Sequence, residues 1–217
     1  MLVRHMLMTA LLLGLFAVLG TGMVALTQHE TKQAIIDNER AYLLRTLNSL
    51  VPPTAYDNAL YQDTITVTDP ALLGTAKPVT IYRARRAGTP VAAILTTRAP
   101  GGYNGTIKLL VAIRYNGVIM GVRVVSHQET PGLGDSIDAK KSNWIHSFDG
   151  HSLNQPNDLG WRVEKDGGIF DQFTGATISP RAVVKAVHDS LKYYQLHKEE
   201  IFTPPASSQQ GTRHGSK

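Results

Sequence analysis

Hydrophobic positions fall into three regimes along the chain. From Met6 to Thr27 the residues MLMTALLLGLFAVLGTGMVALT carry no charge over 22 positions. At 1.5 Å per residue such a helix is about 33 Å long, enough to cross a hydrocarbon core of roughly 30 Å. A cleaved signal peptide has a shorter apolar run of about 7–15 residues and a small-residue cleavage site. This run is longer and lacks that site, so a retained transmembrane anchor over residues 1–27 is expected. Arg4 before the run and Lys32 after it, behind Glu30, tilt the charge balance toward a cytoplasmic N-terminus and a body on the outer side of the membrane.

The second regime has helical spacing. Ala34, Ile35, Ala41, Leu44, Leu47 and Leu50 recur among Glu30, Lys32, Asp37, Glu39, Arg40 and Arg45, and Pro52-Pro53 stops the pattern. This predicts a stalk helix within residues 28–53. The third regime alternates. β-Branched runs over residues 64–68, 79–82, 91–96, 107–113 and 118–125 read as five strands. Asn116-Gly117 joins the last two as a tight turn, whereas residues 100–105, Pro-Gly-Gly-Tyr-Asn-Gly, read as a flexible loop. Ala182, Val183, Ala186, Val187, Leu191 and Tyr194 then return to helical spacing, with Ser179 as N-cap and Pro180 at the first helical position. Residues 203–217 are polar and are expected to be disordered. The sum is an α+β chain: one N-terminal transmembrane helix, a stalk, and a compact domain over residues 54–202 with an antiparallel sheet and flanking helices.

Composition narrows the chemistry. The 217 residues contain no cysteine, which removes disulfides, thiolate nucleophiles, Cys-ligated zinc and Cys-bound iron–sulfur clusters. Twenty-two Lys and Arg against 17 Asp and Glu give +5, with no concentrated basic stripe, so nucleic acid is not an expected partner. His146, His151 and His188 lack metal-ligand spacing, and no metal is assigned. No G-x-G-x-x-G follows a predicted strand, so a nicotinamide site is not expected either.

The segment richest in chemistry is Asp171-Gln172-Phe173-Thr174-Gly175-Ala176-Thr177, just ahead of the last helix. Gly175 permits positive φ or close approach of a ligand. Thr177 presents a hydroxyl beside a helix N-terminus, where free N–H groups and the helix dipole favour a phosphate. Arg181 and Lys185 in the first two turns can add positive charge. The same residues also suit a plain N-capping turn in which Thr174 and Thr177 satisfy backbone groups, and local physics leaves both readings open.

DQFTGAT resembles the D-x-x-[S/T]-G-A-[T/S] signature of domains that carry covalently attached FMN. Gly102-Tyr103-Asn104-Gly105, the run His127-Gln128-Glu129-Thr130-Pro131-Gly132-Leu133-Gly134, Trp144-Ile145 and Phe148-Asp149-Gly150 extend that resemblance over residues 102–188. With the anchor and stalk, the whole is similar to the G subunits of Rnf/Rsx ion-translocating electron transport complexes. The C subunits of sodium-pumping NADH:quinone reductases are near relatives, typically longer.

The resemblance implies a flavin transferase that joins FMN to the Thr177 hydroxyl as a phosphodiester. It implies a site built from Thr174, Gly175, Ala176, Glu129 and Thr130, with Asp171 orienting the loop or being read by the transferase. It further implies electron transfer with membrane and iron–sulfur subunits of such a complex, linking ferredoxin and NAD to ion movement, in a bacterial inner membrane whose lipid surrounds the anchor. Trp144 is expected to be a core anchor rather than a flavin-stacking residue. A cofactor-free scaffold, or a reductase with its own small substrate, are the alternatives from other classes.

Overall fold

The computed structural model describes residues 2–203. The chain divides into two compact units, Met1–Thr46 and Leu47–Lys217. Helix α1 runs without a break over Leu2–Leu50. The predicted anchor and stalk are therefore one helix, because no glycine or proline interrupts the chain between Met23 and Leu50. Its apolar part is long enough to cross a membrane and is not covered by protein. Pro52 and Pro53 follow directly and lead into a short 3₁₀ turn, Pro53–Ala55.

Five strands form the second unit's sheet: β1 (Thr64–Asp69), β2 (Thr75–Arg86), β3 (Thr89–Gly102), β4 (Gly105–Arg114) and β5 (Ile119–Ser126). They pair antiparallel in sequence order. All five predicted strands are present, β2 and β3 considerably longer than the apolar runs that announced them.

Residues 100–105 differ from the sequence expectation. They are a tight hairpin, with Gly102 paired to Gly105 and only Tyr103-Asn104 outside the ladder. The register shifts between Ala99 and Gly102, and this irregularity accommodates Pro100, which has no N–H for a regular ladder. Gly105 sits at φ +123°, a conformation closed to other L-residues.

Alternation along β4 turns Ile107, Leu109, Val111 and Ile113 into the main core. Helix α2 (Ile178–Phe202) covers this face with Val183, Val187, Leu191 and Tyr194. Phe148, Trp161 and Phe170, from the irregular segment between β5 and α2, close the same core. Leu110 and Ala112 on the alternate β4 positions are buried too, as are Leu47, Leu50 and Val51. A Cβ on Gly121 would lie 3.0 Å from Leu50 Cδ2, so the end of α1 abuts β5 closely within this unit.

The C-terminal end of α2 is tied to β2. Arg83, 6 % exposed, donates to the Ile201 and Thr203 carbonyls, and Arg85 donates to the Phe202 carbonyl. Asp63 accepts from Arg83 Nε at 2.6 Å and from Arg85 Nε at 3.1 Å. Two guanidinium groups thus satisfy carbonyls that the helix leaves without partners and meet the negative end of its dipole. The tail expected to be disordered lies, from residue 204 on, outside the described residues.

Candidate functional site

The N-terminal end of α2 faces a cavity of about 300 Å³ lined by Tyr103, Glu129, Thr130, Leu133, Gly134 and the run from Gly175 to Ser179. Three segments distant in sequence meet there: the β3–β4 hairpin tip, the 129–134 loop, and the 175–177 turn running into the first turn of α2.

The 129–134 loop is pinned by one buried carboxylate. Glu129, 4 % exposed, accepts the Tyr103 N–H on Oε2 and the Asn104 N–H on Oε1, each at 3.2 Å. Ser179 donates its hydroxyl to the same Oε2. Three donors and the positive end of α2 offset the desolvation of this charge. Asn104 Nδ2 donates to Thr130 Oγ1 at 3.0 Å, a second tie between hairpin and loop. Gly134 is closely enclosed here: a Cβ would stand 2.5 Å from Ser179 Oγ and 2.8 Å from Glu129 Oε2, so either side chain would have to shift. Behind it, buried Asp135 accepts the Gly132 N–H at 2.8 Å.

Ser179 is consequently not the N-cap. The helix starts at Ile178, Thr177 occupies the cap position, and Ser179 is buried in the first turn with its hydroxyl turned to Glu129. A carboxylate fifty residues away outcompetes the backbone N–H that a cap would have served. Pro180 falls third in the helix, where the missing N–H still costs no intrahelical bond.

Thr177 is half-buried at the cavity, with backbone in the helical region and no capping hydrogen bond from its side chain. The N-capping reading of its hydroxyl is thereby removed. Gly175 takes φ +79° in a turn closed by the Ala176 N–H to the Phe173 carbonyl at 3.0 Å, as a turn with positive φ at its third position demands.

Of the residues singled out from sequence, Glu129, Thr130, Gly175, Ala176 and Thr177 come together around one cavity. Thr174 is exposed in the turn and Asp171 is exposed before it, both outside the lining. Asp171 holds its place through its carbonyl, which accepts from Trp144 Nε1 at 2.8 Å. Trp144 packs edge-on against Phe148 and Phe173 and does not line the cavity. Arg181 and Lys185 are committed elsewhere: Arg181 is bidentate on Asp166 at 2.6 and 2.9 Å, and Lys185 pairs with Asp189 at 2.5 Å. The Arg181 guanidinium holds the Asp166 carboxyl below its ordinary range.

Tyr103, Leu133 and Ser179 line the site without having been singled out for it. Tyr103 was hidden by the loop reading of its glycine-rich surroundings, although a Gly-x-x-Gly run between two β-rich stretches is also a hairpin signal. The lining suits a flavin phosphate ester in three respects. It offers an uncommitted hydroxyl, a helix N-terminus beside it, and apolar walls from Tyr103, Leu133 and Ile178.

Comparison with known proteins places the chain among relatives. The FMN-binding domain family model matches residues 102–192, and the RnfG N-terminal region model matches residues 1–50. The G subunit of the ion-translocating oxidoreductase complex of Pseudomonas aeruginosa is 50 % identical over 201 residues, covering 93 % of this chain and 94 % of its own. Its namesake in Vibrio cholerae is 49 % identical over 195 residues, 90 % of this chain and 93 % of its own. That of Shewanella piezotolerans is 46 % identical over 204 residues, 94 % and 96 % respectively. With an FMN-binding domain behind a long apolar helix and relatives of half-identical sequence along nearly its full length, this chain belongs to the family of G subunits of ion-translocating oxidoreductase complexes.

Proposed function

We propose that this chain is a membrane-anchored electron-transfer subunit carrying FMN as a phosphodiester of Thr177, within a ferredoxin- and NAD-linked ion-translocating complex. The observation that carries the reading is the Thr177 hydroxyl, free of capping duty, half-buried in a cavity at the N-terminus of a 25-residue helix. Thr177 would hold FMN through Oγ1 as a phosphate ester, its hydroxyl proton leaving with the group displaced from the flavin donor; a flavin transferase is the partner for that attachment. FMN, when bound, supplies one- and two-electron redox chemistry.

The chain's own residues bind and orient. Thr177 supplies the tether, and the first N–H groups of α2 meet the negative charge of the ester. Gly175 keeps the adjoining backbone bare. Tyr103 and Leu133 supply apolar wall, and Thr130 supplies a hydroxyl. Glu129 acts as a positioning residue: its carboxylate is already engaged by three protein donors, and it fixes the hairpin and the helix that frame the site. Asp171 and Thr174, exposed in the preceding turn, are assigned to presentation of the loop to the transferase. The apolar part of α1 lies in lipid, with the N-terminus cytoplasmic and the domain on the periplasmic side of the bacterial inner membrane, where it meets other membrane and iron–sulfur subunits.

The test is co-expression with a flavin transferase, followed by denaturing gel fluorescence and intact mass. The parent chain and Thr177→Ser should fluoresce and gain the mass of FMN less one water, and Thr177→Ala should do neither. Persisting fluorescence in denatured Thr177→Ala overturns the attachment site. A reporter fused after the last residue should be active outside the cytoplasm only, and cytoplasmic activity overturns the orientation.

A further inference from the structure

The cavity beside Thr177 is lopsided in charge. Of the described residues that line it, Glu129 alone carries a side chain charged at neutral pH. That carboxylate is buried, and no Lys, Arg or His among the described residues forms a salt bridge with it. Its partners, the Tyr103 and Asn104 N–H groups and the Ser179 hydroxyl, are all neutral. His127 accepts the Glu129 N–H on Nδ1 at 3.1 Å, which leaves no proton on that nitrogen. The two cations in the opening turns of α2 are spent on other carboxylates, Arg181 on Asp166 and Lys185 on Asp189. The helix N-terminus contributes about half a positive charge, so a net negative charge remains.

The place of that charge is fixed. A Cβ on Gly102 would lie 2.8 Å from Glu129 Oε1, and one on Gly134 2.8 Å from Oε2. Both flanks of the carboxylate are therefore bare backbone, and one of them, Gly134, is itself cavity wall. A buried charge of this kind is screened far less than one at the surface.

We infer that, given the attachment proposed above, Glu129 sets the redox level of the flavin held at Thr177, its negative charge keeping the reduction potential low. Full reduction at neutral pH brings two electrons from the donor subunit of the complex and one proton from solvent, so the flavin gains one negative charge. A like charge in the cavity wall opposes that gain, and the flavin passes its electrons on more readily. The ester phosphate is opposed as well, and the bond to Thr177 holds it regardless.

The full chain, co-expressed with a flavin transferase and solubilised in detergent, is titrated anaerobically with dithionite against a dye of known potential. Fluorescence on a denaturing gel first scores attachment in every variant. In Glu129→Gln the ratio of reduced to oxidised flavin at a given potential should rise about tenfold, an upward shift of about 30 mV for a two-electron couple. Glu129→Asp shortens the side chain and keeps the charge, so its potential should stay with that of the parent. Ser179→Ala keeps the charge and removes one of its donors, so its potential should fall. A merely structural role moves all three in one direction, whereas charge separates them by sign. A fluorescent Glu129→Gln at or below the parent's potential, a Glu129→Asp that rises as far as Glu129→Gln, or a Ser179→Ala that does not fall overturns the inference and leaves the attachment standing. Where Glu129→Gln does not accumulate, the sign of the Ser179→Ala shift decides. A parent chain without fluorescence after denaturation overturns the attachment, and this inference with it.

Discussion

Replacing Glu129 by glutamine keeps the side chain's shape and removes one acceptor from the clamp over the Thr177 cavity. A glutamine oxygen at the Oε2 position retains Tyr103 N–H and Ser179 Oγ, and its amide nitrogen then confronts the Asn104 N–H, donor against donor. One hydrogen bond to a charged acceptor disappears, about 1.5–3 kcal/mol, and the two that remain fall to neutral strength, about 0.5–1.5 kcal/mol each. Relief from burying a charge offsets part of this loss. The expected destabilisation is about 2–3 kcal/mol, and more for Glu129→Ala, which strands all three donors. Urea unfolding of the detergent-solubilised chain, followed by fluorescence of Trp144 and Trp161, reads the change as a lower midpoint with unchanged slope. In a cycle with Ser179→Ala the two substitutions should couple, since they share one bond. A change below about 0.5 kcal/mol, the range of an ordinary surface substitution, refutes the clamp.

Gly134→Ala forces a methyl to within 2.5 Å of Ser179 Oγ and 2.8 Å of Glu129 Oε2, and overpacking of this kind costs about 1–3 kcal/mol in the same unfolding measurement. Asp63→Ala leaves buried Arg83 with only helix carbonyls as partners, and breaking such a pair should lower stability by about 3–5 kcal/mol, read as a fall in the unfolding midpoint. His188 has its imidazole held below the ordinary value of 6.5, chiefly by burial and then by Lys192. The unfolded chain therefore binds the proton more readily, and stability should be full above about pH 6.5 and fall as pH drops through the folded value. His188→Gln should flatten that slope in midpoint-against-pH plots, and an unchanged slope assigns the effect to other groups.

The sheet was legible because its strands announce themselves locally: β-branched alternation at residues 64–68 and 107–113 and Asn116-Gly117 need no distant partner to be read. The hairpin at residues 100–105 was not, since its order depends on Glu129, whose carboxylate takes the Tyr103 and Asn104 N–H groups from 25 residues away or more. Ser179 failed as an N-cap for the same reason. Local capping propensity is a choice among nearby donors, and a buried carboxylate brought in by the fold changed the choice. Arg181 and Lys185 looked available to a phosphate because Asp166 and Asp189 carry no mark in sequence as their partners. Gly175 and Thr177, by contrast, stand in one contiguous motif, and their proximity to the cavity follows from chain connectivity alone.

Helix α2 is fastened at its far end by Arg83, Arg85 and Asp63 and at its near end by the Ser179–Glu129 bond. A rod riveted at both tips can neither slide along its axis nor swivel without shearing charged contacts at one tip or the other. The backbone at Thr177 is therefore held at a constant place within the domain, and the attachment proposed there would be anchored to a fixed point. Any swing of a group attached there would then come from its own rotatable bonds rather than from a shift of the helix that carries it.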